Sequence, residues 1–247
     1  MAPSNKDKLL ERFYNASSNQ IELCIDEAGR GCLLGRVYIA CVVLPKDISL
    51  FSGENIKDSK KFSSKKKINQ VAERIREQAL AWHVSFIEAD VIDKINILQA
   101  VMRGMHECIQ SILVSKGFSL SNCCAVVDGN YFTPFRQFDE STGSILEMPH
   151  VTVEQGDAQY MGIAAASILA KTARDAYILQ LCEQHPDLST RYGLHTNMGY
   201  GTKLHLEGIR SHGITPWHRK TFGATIRDAL SKETNPEIVQ ETAEAIL

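Results

Sequence analysis

The chain has almost no net charge, since 27 Lys and Arg stand against 29 Asp and Glu for a formal balance of -2. A protein that gripped a polyanion with its whole surface would be strongly basic, so any nucleic-acid contact has to come from local basic patches. Cysteine pairs are missing as well. The seven cysteines, at 24, 32, 41, 108, 123, 124 and 182, form no CxxC spacing, and several sit inside apolar runs. Reduced thiols are expected, with neither a disulfide framework nor a zinc site. No stretch approaches the roughly 18 apolar residues of a membrane span. The opening MAPSNKDKLLERFYNASSNQ carries charges where a signal peptide would have an apolar centre. The expected location is the cytoplasm, with no membrane partner. Internal repeats and low-complexity segments are also absent. What is present is ordinary: 44% hydrophobic and 23% charged residues over a length of 247 describe a folded protein with room for a real core.

One local basic patch stands out, 57-KDSKKFSSKKK-67, with six lysines against one acid. Around it the hydrophobic pattern alternates between strand and helix periods. Amphipathic spacing predicts a short helix over 6–16, then strands at 21–25 and 37–44. A helix follows over 64–80, then a strand at 82–87 and a helix over 97–116 that stops at Gly117. Short strands are expected at 123–128 and 151–153, then a long Ala-rich helix over 158–184. A loop at 191–201 precedes helical pieces near 203–211, 223–232 and 235–246, and Thr215-Pro216-Trp217 is the candidate boundary of a C-terminal appendage. Strands alternating with helices argue for a mixed α/β layer fold.

Acids sit at the ends of the apolar strands. Asp26 and Glu27 close the first, followed by Gly29-Arg30-Gly31, and Asp128 closes the strand at 123–128. Successive strand residues face opposite sides of a sheet, so Asp26 and Glu27 serve one pocket only if the strand ends at Asp26 and the turn swings Glu27 back. Crowded carboxylates need cations, and hard oxygen ligands select Mg2+ or Mn2+. Taken singly, Asp26 and Glu27 read as a solvated turn and Asp128-Gly129 as a turn signal. For Asp157, at the head of the long helix, spacing alone favours an N-cap over a metal ligand. Asp139 and Glu140 fall in a loop with no apolar strand behind them, and Asp175 is placed to pair with Lys171 at i,i+4.

The runs 26-DEAGRG-31, 58-DSKKFS-63, 127-VDGN-130, 156-GDAQYMGIAAASILAKTARD-175 and 199-GYGTKLHLEGIRSHGITPWHRKTF-222 resemble, in order, the successive motifs of bacterial ribonuclease HII, the type 2 ribonuclease H. The resemblance spans about residue 20 to 222. It implies a ribonuclease H-like fold, a mixed five-stranded sheet flanked by helices with a small C-terminal helical part. The division it suggests is an N-terminal helical extension (1–20), a catalytic domain (21–190) and a C-terminal substrate-contacting loop with helices (191–247). The implied activity is metal-dependent endonucleolysis of RNA–DNA hybrids and of DNA duplexes containing single ribonucleotides. Cleavage 5′ of the ribonucleotide at the junction would leave a 3′-hydroxyl and a 5′-phosphate.

By motif match the catalytic and metal-holding acids are Asp26, Glu27, Asp128 and Asp157, which overrides the N-cap reading of Asp157. Two Mg2+ or Mn2+ ions are implied in the substrate complex, with Asp26 bridging them. Gly29, Arg30 and Gly31 would read the ribose 2′-hydroxyl at close approach, because glycine carries no Cβ. Tyr200 would stack against the DNA-side nucleotide, and Lys60, Lys61, Thr202 and Lys203 would touch phosphates. His218 and Arg219 are read as structural or phosphate-facing. Arg36, in place of a usual proline, and 195-HTNM-198, in place of a lysine- and histidine-rich run, depart from the pattern. A monomer is expected, with a replication clamp as a candidate partner. The other readings are a ribonuclease HIII-like hybrid nuclease, disfavoured by the Gly-Arg-Gly turn and the lack of a long N-terminal substrate-binding domain, and a non-catalytic binding module.

Overall fold

The structure, a computed structural model, describes residues 9–234. The helix expected over 235–246 and the opening residues of the one expected over 6–16 lie outside them. In chain order the elements are β1 (Ile21–Ala28), β2 (Val37–Val43), α1 (Lys65–Gln78), β3 (Ala81–Ile87), α2 (Ala89–Lys116), β4 (Cys123–Asp128), β5 (Arg136–Asp139), β6 (Ser144–Glu147), β7 (His150–Val153), α3 (Met161–Gln184), α4 (Pro186–Tyr192), α5 (Leu194–Asn197), α6 (Lys203–His212) and α7 (Ala224–Thr234).

Five strands form one mixed sheet in the order β3-β2-β1-β4-β7. β1 is antiparallel to β2 and parallel to β4, which is in turn parallel to β7. β1 and β2 are buried along most of their length, as expected of strands covered on both faces, which is why they read as near-continuous apolar runs. On one face Ala40, Val42 and Leu44 meet Ile68 and Val71 of α1 and the small Ala165 and Ala166 of α3. Alanine there lets the helix approach the sheet closely. On the other face α2 comes so near that a Cβ at Gly104 would overlap Ile39, and the Cys108 thiol reaches the Ile39 carbonyl at 3.5 Å.

The described residues form two compact units. The first takes 9–28, 38–86 and 101–173 and contains the sheet up to Phe86. The second takes 29–37, 87–100 and 174–234. Its core is built from Leu34, Ile178, Leu188, Tyr192, Ile209 and Ile226. Thr215–Trp217 falls inside the second unit, where Gly35 donates to the Trp217 carbonyl at 2.9 Å, so the expected boundary is not there.

Four more expectations are corrected. Residues 9–16 are not helical, because their backbone is engaged elsewhere. Glu11 exchanges hydrogen bonds with Gln159 and Met161 at 2.8 Å each, and the Glu22 carboxylate accepts the amides of Tyr14 and Asn15 at 2.9 and 2.8 Å. Asp139 is not in a loop; it ends β5, which pairs with β6 in a separate hairpin. The expected loop over 191–201 contains the end of α4 and all of α5. α2 begins earlier than expected and is broken at Asn96, whose φ is +66°. The Asn96 side chain accepts the Gln99 amide at 3.1 Å and so caps the half of the helix that the pattern from Ile97 had revealed. No helix of the described residues is long and apolar enough to cross a membrane.

Candidate active site

The carboxylates gather at the C-terminal ends of the three mutually parallel strands, where open α/β sheets present their ligand crevices. β1 and β4 pair up to Ile25 and Val127. Asp26 and Asp128 are the next residues on each strand, so they stand side by side and share one face. That face is the α3 side: Cys24 and Val126, two residues earlier on each strand, pack on Ile163 of α3. The Ser167 side chain of α3 hydrogen-bonds the Asp26 carboxylate, and Ser167 is itself 3.0 Å from Ser59. Four residues beyond the end of β7, Asp157 lies buried in a single 3-10 turn just ahead of α3. Its neighbour Gly156 donates its amide to Asp128 at 2.7 Å. Asp157 is therefore part of the acid cluster and not only a helix-entry residue.

The electrostatics match this crowding. Burial pushes the Asp26 carboxyl well above its ordinary range, and the charges of Asp128 and Glu27 push it further, against hydrogen bonds from Ser167 and the Glu27 amide. Asp128 is raised by burial and by Asp157, against donated amides from Gly156 and Asp157. The cation beside these acids is Lys60, whose ammonium lies 3.5 Å from Asp157 and whose pKa is raised chiefly by it. Lys61 is exposed beside it.

Glu27 is placed differently from the expectation. β1 does not end at Asp26; it continues through Glu27 to Ala28, because β2 pairs with it that far, at Glu27↔Ile39 and Ala28↔Tyr38. Strand alternation then turns Glu27 to the opposite side from Asp26. It is linked to the cluster by charge and by its amide, which donates to Asp26 at 2.7 Å.

These donors fit a hard divalent cation in kind: they are anionic oxygens, already crowded enough to resist ionisation without a counter-charge. Among the described residues no three His, Cys, Asp or Glu side chains stand ready around one point.

The second unit carries the other expected residues. Gly29 has φ +90°, and a Cβ there would overlap the Arg174 side chain, so glycine is required twice over. The carbonyls of Gly29 and Arg30 accept from Arg219 at 2.8 and 2.9 Å. Tyr200 is 47% exposed. Its ring lies 5.5 Å from the Arg174 guanidinium, and its hydroxyl bonds the Cys32 side chain. Thr202 caps α6, accepting from the His205 amide at 3.4 Å. Lys203 is exposed and 3.8 Å from Glu207.

The family model described as Ribonuclease HII matches residues 23–225. The chain belongs to the ribonuclease HII family. A Ribonuclease HII from Parabacteroides distasonis is 45% identical over 207 residues, covering 83% of this chain and 91% of that one. Among solved structures, the chain resembles one from the PCNA:RNase HII complex of Archaeoglobus fulgidus, with TM-score 0.59, 25% identity and coverage of 83% and 96%. It shares its fold with Bst-RNase HIII in complex with Mn2+, with TM-score 0.62, 16% identity and coverage of 87% and 70%. Family membership makes the chain a type 2 ribonuclease H, a metal-dependent endonuclease acting on RNA–DNA hybrids.

Several residues of the chain were not singled out by its sequence. Arg174 looked like one more charge on a long helix, yet it is buried beneath Gly29. Asn197 sits in the segment that departs from the family pattern. Its side chain accepts the Gly199 amide at 2.8 Å and donates to the Tyr192 carbonyl at 2.7 Å, and its carbonyl takes the Tyr200 amide at 3.0 Å. The HTNM run thus carries the tyrosine loop even though it lacks lysine. Arg36, the other departure, pairs with Glu88 at 2.6 Å and lies 4.5 Å from the Tyr177 ring. An Asn two residues ahead of a glycine, the spacing at which its side chain accepts the later amide, was the one signal available for the role of Asn197.

Proposed function

We propose that the chain nicks duplexes where RNA meets DNA, 5′ of the ribonucleotide at the junction, leaving a 3′-hydroxyl and a 5′-phosphate. A single ribonucleotide embedded in DNA is a sufficient substrate. The observation that carries this reading is the side-by-side placement of Asp26 and Asp128, with Asp157 and Lys60 beside them, at the ends of parallel strands. Asp26, Asp128 and Asp157 would hold two Mg2+ or Mn2+ ions, and Glu27, whose charge reaches Asp26 although it leaves β1 on the other side, would have to turn back at the strand end to complete the set. When bound, such ions supply a water of lowered pKa and positive charge opposite the leaving oxygen.

The protein's own groups prepare this site. Ser167 and the Glu27 amide keep the Asp26 carboxylate aimed, and the Gly156 amide fixes Asp128. No side chain is needed as general base. Gly29, Arg30 and Gly31 would sense the 2′-hydroxyl through their backbone, and Tyr200 would lie against the neighbouring deoxyribose, where a 2′-hydroxyl would be in the way. Lys60, Lys61, Thr202 and Lys203 would meet phosphates and set the register of the duplex without reading it. We read the chain as a monomer, and take a replication clamp as its partner because the Archaeoglobus relative was solved in a PCNA complex.

The test is a labelled DNA duplex with one ribonucleotide, incubated with the protein and Mg2+ or Mn2+. A single nick 5′ of the ribonucleotide is expected, and none with EDTA. An Asp128→Asn variant that nicks as fast as the parent would remove the basis of the reading.

A further inference from the structure

His218 and Arg219 are adjacent in sequence and 1% and 0% exposed, which leaves neither free to face a phosphate. Each leads to a different part of the second unit. The Arg219 side chain donates from Nε to the Gly35 carbonyl at 2.9 Å, from Nη1 to Arg30 at 2.9 Å and from Nη2 to Gly29 at 2.8 Å. Its own amide donates to Leu33 at 2.8 Å. A guanidinium is a rigid planar fork, so these carbonyls are fixed relative to one another, in a way that a lysine's single ammonium could not reproduce.

His218 leads to the tyrosine loop, and the protons along the way can be placed. The Thr215 amide lies 2.9 Å from His218 Nδ1. An amide N–H can only donate, so Nδ1 accepts and the ring proton is on Nε2. His218 Nε2 is 3.1 Å from His205 Nε2. That second nitrogen must then accept, which puts the His205 proton on Nδ1, 3.0 Å from the Tyr200 carbonyl. A single amide, Thr215 N–H, thus sets the direction of a relay that ends on the backbone of Tyr200. Both rings are held neutral by burial, His218 down to about 3, as the relay requires.

We propose that His218 and Arg219 are positioning residues for junction recognition. Arg219 fixes the Gly29–Gly31 turn, His218 acts through His205 on Tyr200, and their adjacency holds the two substrate-reading elements at one spacing. This rests on the reading, given above, that the turn and Tyr200 sense the ribose and deoxyribose sides.

The experiment compares kcat/KM, with Mg2+, for a one-ribonucleotide duplex and a continuous RNA–DNA hybrid. The proteins are the parent chain, Arg219→Lys, His218→Asn, His218→Gln and Tyr200→Ala, each first checked for folding by circular dichroism. Glutamine places an amide nitrogen near the position of Nε2 and preserves the link to His205, whereas asparagine stops short. The expected result is that Arg219→Lys and His218→Asn lower the ratio of the two kcat/KM values roughly tenfold, mainly through KM, with His218→Gln recovering most of it. Equal losses on both substrates, or an unchanged ratio in folded variants when Tyr200→Ala does change it, would overturn the positioning role alone. An unchanged ratio in Tyr200→Ala would instead strike the underlying reading of Tyr200, and this proposal with it. If the variants do not fold, nitrogen NMR of the parent protein decides: the Nε2–H tautomer at His218 with the Nδ1–H tautomer at His205 supports the relay, and any other pair overturns it.

Discussion

Asp26 and Asp128 stand beside each other, each one residue past the paired Ile25 and Val127 of two parallel strands, and the charge of Asp128 helps to push the Asp26 carboxyl far upward. A site built this way is under strain until a cation arrives. In EDTA, Asp26→Asn is therefore expected to be more stable than the parent by about 1 kcal/mol, since it removes a buried charge and keeps an oxygen for Ser167. Its nicking activity should be at background. Urea unfolding and the one-ribonucleotide assay measure the two quantities. Mg2+ should raise the melting temperature of the parent more than that of the variant, because an ion that binds only the folded state stabilises it by mass action.

Lys60 is almost fully exposed, and its ammonium is 3.5 Å from Asp157. Asp157 is buried, so solvent screens the pair on the lysine's side alone, and Lys60→Ala should cost about 0.5–1 kcal/mol by leaving a buried carboxylate without its counter-charge. Its larger effect belongs in binding. If the ammonium neutralises one phosphate, the slope of log affinity for duplex against log salt should flatten by about 0.9 in the variant. Fluorescence anisotropy with Ca2+ in place of Mg2+, across a salt series, reads this directly. An unchanged slope would confine Lys60 to the acid cluster.

The sequence carried the site better than the fold around it, for physical reasons. Asp26 and Asp128 were legible because each stands at the end of an apolar run, whereas Asp157 read as an N-cap on spacing alone and joined the acids only through the family resemblance. Glu27 was misplaced because the end of β1 depends on how far β2 pairs with it, which is a long-range fact. The segment at 9–16 has helical spacing, but Glu22 and Gln159 take its amides, and tertiary hydrogen bonds outweigh a short amphipathic pattern. The β5–β6 hairpin is mostly exposed on both faces, so it has no alternation to detect. Arg174, Arg219 and His205 act from inside the protein, and nothing local distinguishes a buried arginine from a surface one.

Gly29 offers a sharper test of the turn. Its φ of +90° is costly for any L side chain, and a Cβ would overlap Arg174. Gly29→Ala is expected to lose about 1–3 kcal/mol of stability. It should also lose most of its preference for the one-ribonucleotide duplex over the hybrid. Gly31, where a Cβ would meet nothing within 4 Å, serves as the contrast: Gly31→Ala should fold normally, so any loss of preference there reports on the approach of substrate. Thermal melting beside paired kinetics separates the two.

The buried imidazoles give the protein an acid sensitivity with a defined sign. His218 titrates near pH 6.5 in an unfolded chain and is pushed down to about 3 in the folded one, by burial first and by His205 second. Between those values the unfolded chain binds a proton that the native state refuses, so stability falls as pH drops from about 6.5 toward 3 and is flat above. His205, lowered by burial, acts in the same direction, and the other ring packed against the pair is Tyr192. Asp26 acts oppositely, because its raised carboxyl favours the folded state as acid is added. Comparison with His218→Gln isolates the histidine term: relative to the variant, the parent should lose melting temperature progressively below pH 6.5, while the difference between them stays constant from pH 7 to 8. A parallel pair of curves across the whole range would mean that His218 is protonated in the folded protein.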